Sequence, residues 1–221
     1  DAELVATALA PLGTTDYTPY IAAILGSGAD ILLHSFYGGE DVAFTSQAYA
    51  MGLFDTMHVC GSCDGDQEIW FEVKKGEPYP KGGLATGRYP FWVIDTPENK
   101  EFVRKFSERL PVVPPNYGAM NEYCIVHLLA DVIEEVGAVD TEKVIDALED
   151  RICDTPLGKV KIRAYDHQAM MPTWSGIIAF SDEVYPVIGK SLPYPHMVDI
   201  EVNENPESTY RSIEAIERLR E

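Results

Sequence analysis

Residues 29–61, "ADILLHSFYGGEDVAFTSQAYAMGLFDTMHVCG", carry the pattern that decides the fold. "ADILLHSF" is an apolar run of strand length, Gly38-Gly39 interrupts it, and Val42, Phe44, Ala48 and Met51 then recur at helical spacing. Gly52 stops that helix, and "FDTMHVCG" supplies a further strand-length run. Outward to the N-terminus, residues 3–10 read as a buried strand and "PLGTTD" as a turn, with Thr15 or Asp16 placed to cap a helix from about Tyr17 to Leu25. The first sixty residues therefore run β-α-β-α-β with short connections. That order predicts an α/β fold with a parallel sheet flanked by helices.

Ligands of such sheets bind at the carboxyl ends of the strands, where strand ends and helix N-termini turn unpaired backbone groups toward one crevice. The ends here are "SFYGGE" and "CGSCDGD", so both fall on one rim. Toward the C-terminus, "KKGEPYPKGGLATGRYP" reads as a long loop leading into "RYPFWVID", a strand-like run. "TPENKEFVRKFSERL" follows as a helix with Pro97 in its first turn and Glu98 near the positive end of its dipole. Tyr117 to Val136 forms the longest apolar-periodic helix, with Cys124, Val126, Leu128, Leu129, Val132 and Val136 inward. "VDTEKVIDALED" is another capped helix, "LGKVKIRA" and "PTWSGIIAF" are strand-like, and "ESTYRSIEAIERLRE" reads as a terminal amphipathic helix.

The 221 residues, 46% of them hydrophobic, are enough to bury a substantial core. Acidic residues number 36 against 17 basic ones, a net charge of −19 that repels phosphate backbones and anionic headgroups. Nucleic acid is excluded as a partner. No apolar run reaches the roughly 20 residues that cross a bilayer, and the N-terminus lacks the basic and apolar regions of an export signal. The chain opens abruptly on "ELVATALA", as a fragment or a processed chain would.

Cys60-Gly-Ser-Cys63 raises the question of a redox dithiol. The strand-then-CGSC order partly fits one, but Asp64 and Asp66 would raise a neighbouring thiol's pKa, and no helix begins at the first cysteine. Cys124 and Cys153 stand alone and no H-x3–5-H spacing occurs, so neither a metal nor a cofactor is expected. No G-x-S-x-G is present, and His34, His58, His127, His167 and His196 lack motif support, which leaves catalysis without a foothold. "SFYGGED" is more informative. Phe36 and Tyr37 at a strand's carboxyl end, followed by glycines that let backbone approach closely, suit a small-molecule wall.

These residues resemble a known family. "APLGTTDYTPYIAAILGSGADILL" and "FYGGEDVAFTSQAYAMGLFD" are similar to the second-lobe signature of type I periplasmic solute-binding proteins of ABC transporters, the Leu/Ile/Val-binding group. "YPFWVIDTPENKEFVRKFSERL", "VDTEKVIDALED" and "TPLGKVKIRAYDHQAMMP" resemble that family's later segments in the same order. The resemblance implies a type I periplasmic-binding-protein-like fold whose first lobe is incomplete. Residues 1–93 plus 172–190 would form the second lobe, 94–171 the returning part of the first, and 191–221 a C-terminal tail with a terminal helix.

The function it implies is that of an extracytoplasmic solute-binding component of an ABC importer, not an enzyme. Such a protein binds a small solute such as a branched-chain amino acid between its lobes and delivers it to a membrane permease. It works in the periplasm or outside the cell, with or without a lipid anchor on its precursor. Tyr37, beside Phe36, lies where the family places a ligand-facing residue. The position that receives a ligand's ammonium falls on Cys63 or, one residue on, on Asp64. An amide, urea-like compound or aromatic acid stays open as ligand, as does a thiol-disulfide oxidoreductase using Cys60 and Cys63. The edge where a missing strand belongs predicts self-association.

Overall fold

A computed structural model describes residues 2–203 together with Arg218. The terminal helix read in "ESTYRSIEAIERLRE" lies outside the described residues. The chain divides into two compact units, residues 1–90 with 174–201, and residues 91–173 with 202–221. Among the described residues, no helix is long and apolar enough to cross a membrane.

The first unit is built on a five-stranded sheet of order β1-β2-β3-β7-β8. Its strands are β1 (Ile31–His34), β2 (His58–Gly61), β3 (Leu84–Gly87), β7 (Thr173–Ala179) and β8 (His196–Asn203). β1, β2 and β3 pair in parallel, and β7 joins β3 antiparallel with Ala85 opposite Gly176. Helices α1 (Thr18–Leu25) and α2 (Gly39–Ala50) flank the parallel part. Tyr17, Ile21, Phe44, Ala48, Leu53 and Val59 form the core between them.

The α/β reading of the first sixty residues holds, with two differences. Residues 3–10 form no strand, and Leu4 and Leu9 are both 83% exposed. Four of these eight or so positions are alanine or glutamate, poor strand formers, and no neighbour among the described strands offers them a ladder. The inward stripe of α2 is Asp41, Phe44, Thr45 and Ala48, while Val42 is exposed. Gly38 starts α2 at φ +61°, which favours glycine, and the space over Gly38 and Gly39 is open, with nothing within 4 Å of a Cβ on either.

The supposed long loop before residue 90 contains β3, a central strand. Its small residues are required because the 62–66 loop lies on it: a Cβ on Gly87 would stand 2.9 Å from the Gly65 carbonyl oxygen and 2.6 Å from the Met197 methyl. "RYPFWVID" forms no strand. Phe91, Trp92 and Ile94 are buried without alternation, and the Asn99 side-chain amide donates to the carbonyls of Phe91 (2.8 Å) and Ile94 (2.7 Å). β8, absent from the sequence reading, completes the sheet beside β7.

The second unit holds α3 (Pro97–Arg109), α4 (Tyr117–Val136), α5 (Thr141–Leu148) and an antiparallel sheet of β4 (Ile152–Thr155), β5 (Gly158–Ile162) and β6 (Ala169–Met170). Thr96, Asn116 and Asp140 cap the three helices by accepting from Asn99, Ala119 and Lys143 backbone N–H groups. In α4, Val132 is buried, but Val126 and Leu129 are exposed, contrary to the inward stripe read from periodicity.

Candidate functional site

The carboxyl ends of β1, β2 and β3 bring three loops together in the first unit. The Ser62 backbone N–H donates to the His34 carbonyl (3.1 Å), and the Gly65 N–H to the Thr86 carbonyl (3.0 Å), so the 62–66 loop is tied to both neighbours. Trp70 is buried below it and donates from Nε1 to the Asp64 carbonyl at 2.8 Å. This frame holds the side chains of the rim in two layers.

The upper layer carries Tyr37, Glu68 and Arg88. Tyr37 is 49% exposed and its hydroxyl donates to Glu68 Oε1 at 3.0 Å. Arg88 sits with its guanidinium carbon 5.7 Å from the Tyr37 ring centroid. It is anchored by buried Asp66, whose Oδ1 accepts from the Arg88 backbone N–H (3.0 Å) and whose Oδ2 accepts from Nε (2.8 Å) and from Nη2. Burial, and then the nearby Asp66 charge, hold the Glu68 carboxyl above its usual range. Burial and the Glu68 charge raise the Tyr37 phenol, keeping it a donor. Glu68 Oε2 is buried with no partner among the described residues.

The lower layer is a cluster of His34, Asp41 and Asp64. His34 Nε2 lies 3.3 Å from Asp64 Oδ2, and Thr45 Oγ1 donates to Asp41 Oδ1 at 3.4 Å. Asp41 and Asp64 are 0% and 1% exposed. Burial first, and then the facing Asp64 carboxylate, push the Asp41 carboxyl far above the carboxylate range.

The four residues read from the sequence thus fall in different layers. Tyr37 stands on the rim. Phe36 turns into the aromatic core, 5.2 Å from Tyr17 and 4.8 Å from Phe44 between ring centroids. Cys63 is half-buried at the rim, where Ser62 Oγ lies 3.8 Å from its sulfur, and Asp64 belongs to the lower cluster. Cys60 and Cys63 are free thiols. Burial, then the Asp64 charge, push the Cys60 thiol up, the reverse of what a nucleophilic dithiol needs.

Sequence reading missed His34, Asp41, Asp66, Glu68 and Arg88. A signal was present for one: Asp41, Phe44, Thr45 and Ala48 keep the i, i+3, i+4, i+7 spacing, which marks an aspartate on the buried face.

The sequence profile of the periplasmic binding protein family matches residues 1–178. This chain belongs to the periplasmic binding protein family. Members of that family are solute-binding proteins rather than enzymes, and membership implies a periplasmic location. The resemblance drawn from the sequence motifs therefore holds, as does the type I binding-protein fold it implied. An amino acid ABC transporter substrate-binding protein from Pseudomonas fluorescens Pf-5 superimposes with TM-score 0.71 at 19% identity, over 96% of this chain and 55% of its own. A solute-binding protein of an ABC transporter from R. palustris, solved with 4-hydroxybenzoate, gives 0.70 at 22% identity over 95% of this chain and 55% of its own. A leucine-, isoleucine-, valine-, threonine- and alanine-binding protein from Brucella ovis gives 0.67 at 15% identity over 91% and 50%. This periplasmic binding protein chain spans about half the length of these neighbours. No curated protein matches it.

Proposed function

We propose that this chain is part of a solute receptor of an ABC importer, handing its solute to a membrane permease, and that the upper layer is one wall of the solute site. Tyr37 offers a half-exposed ring, and Cys63 a soft edge beside it. The observation that carries the reading is the Tyr37–Glu68–Arg88 group, a ring face with a carboxylate on one side and a guanidinium on the other.

The ligand is a small amino acid of the branched-chain type. Its apolar side chain packs on Tyr37, and its ammonium pairs with Glu68, whose Oε2 lacks a partner among the described residues. We place the ammonium on Glu68 rather than on Asp64, which is turned into the lower cluster. An aromatic acid is the second reading, favoured by the same ring and by a structural neighbour that holds 4-hydroxybenzoate. Self-association through β1 is also proposed, since this strand ends the described sheet with Leu33 74% exposed.

Titration calorimetry with leucine, isoleucine, valine and 4-hydroxybenzoate tests the assignment. Saturable binding of an aliphatic amino acid, weakened about tenfold or more by Glu68→Gln, is expected. Binding of 4-hydroxybenzoate alone selects the second reading. A folded protein that binds none of them refutes both.

A further inference from the structure

We propose that His34, Asp41 and Asp64 form a site for a divalent cation of the zinc class, beneath the rim. The three residues come from three elements: the last position of β1, the first turn of α2 and the loop after β2. They offer one imidazole nitrogen and two carboxylate oxygens, all within 4.8 Å of one another. His34 Nε2 and Asp64 Oδ2 are 3.3 Å apart. A tetrahedral ion with ligand bonds of about 2.0–2.1 Å sets its donors about 3.3–3.4 Å apart, so that pair already spans one edge.

Burial and satisfaction point the same way. The side chains of His34 and Asp64 are 4% and 2% exposed, and Asp41 is fully buried. Three polar atoms of this cluster, His34 Nδ1, Asp41 Oδ2 and Asp64 Oδ1, are buried with no partner among the described residues. Orphaned polar atoms are rare in folded proteins, and the two carboxylate oxygens among these call for a ligand that accepts lone pairs, with one nitrogen of His34 as the third donor. Two facing carboxyl groups with neither lysine nor arginine among their described ion pairs ionise together only beside a positive charge. A dication supplies both.

The scaffold holds the donors in place. A Cβ on Gly61 would lie 2.1 Å from the Asp64 carboxyl carbon, so the glycine vacates the space in which that carboxylate sits. The His34 ring is packed against Phe36 and Phe44, at 5.8 and 5.6 Å between centroids, and Thr45 holds Asp41. One nitrogen and two oxygens suit Zn2+ or its close first-row relatives, with water or a second carboxylate oxygen as fourth donor. Ca2+ and Mg2+ require six or more oxygens or several retained waters, which a closed cluster of three side chains does not provide. A bound ion would fasten the loop that carries Tyr37 to the loop that carries Cys63, ordering the rim from below.

The test uses the Cys60→Ser/Cys63→Ser protein, which removes the two thiols nearest Asp64 in sequence and leaves Cys124 and Cys153 to be told apart by the Co2+ spectrum, stripped with chelator and dialysed against Zn2+ or Co2+. About one equivalent retained per chain, a raised thermal midpoint, and Co2+ d–d bands without a thiolate charge-transfer band are expected. His34→Gln and Asp41→Asn should each weaken retention by about tenfold or more, with a native far-ultraviolet spectrum confirming the fold. Should His34→Gln fail to fold, the nearly isosteric Asp41→Asn decides. A parent protein that retains no metal, or folded variants that retain as much as the parent, overturns the proposal.

Discussion

The Asp64 carboxyl group occupies the space that a side chain on Gly61 would fill, with its carbon and both oxygens 2.1–2.2 Å from where that Cβ would stand. Gly61 is thus glycine for steric reasons, and the lower cluster depends on it. Gly61→Ala should destabilise the protein by about 1–3 kcal/mol in denaturant titrations, by forcing Asp64 off His34. Gly61→Ala/Asp64→Ala should cost less than the sum of its parts, because the clash is gone. Strict additivity would sink this account.

Tyr37 donates to Glu68 and stacks near Arg88, so its ring and its hydroxyl can be separated by substitution. Tyr37→Phe should leave ligand affinity within about tenfold, whereas Tyr37→Ala, which removes the wall, should cost more than about tenfold in calorimetry. Equal losses in the two variants would assign the binding energy to the hydroxyl alone.

His196 is buried with Nδ1 2.8 Å from the Tyr194 carbonyl and Nε2 2.8 Å from the Tyr185 hydroxyl. A carbonyl only accepts, so Nδ1 carries the proton and Nε2 accepts from Tyr185, the neutral tautomer. Burial lowers the pKa of His196 below its ordinary value near 6.5. The unfolded chain therefore binds the proton first on acidification, and this contribution is full above about pH 6.5 and lost as pH falls toward the folded value. Thermal midpoints across that window should fall less steeply for His196→Gln, whose amide retains one donor and one acceptor. An unchanged acid limb would refute it.

Cys124 is pushed up to about 11, first by burial and then by neighbouring Cys153. Its alkylation, followed by mass spectrometry, should still be accelerating above pH 10, where an ordinary thiol near 8.5 has levelled off. Cys60→Ser, which leaves the proposed wall intact, should bind solute as the parent does. Loss of binding in that variant would restore a functional role for the Cys60 sulfur.

β1 ends the described sheet with Ile31 and Leu33 exposed. Sedimentation should show concentration-dependent association that Leu33→Lys abolishes, since a charge on an edge strand opposes pairing. A monomer at all concentrations would remove the edge from consideration.

Periodicity in residues 29–61 determined the β-α-β core of this protein, because local spacing of apolar residues reports which faces are buried. Pro97 and Glu98 at the start of α3 and the capped segment "VDTEKVIDALED" likewise announced helices from local chemistry. Even the rim was legible, since strand ends follow from strand order. What tertiary structure alone decided is which residues at that rim look outward. β3 was hidden by composition because its small residues answer to a loop packed on them, not to their own propensity. Asp64 and Asp66, close in sequence, were separated by their partners, Asp64 against His34 and Asp66 under Arg88. Sequence specifies a carboxylate at each position, but burial and pairing are set by residues about 20 to 30 positions away, and only folding brings those into contact.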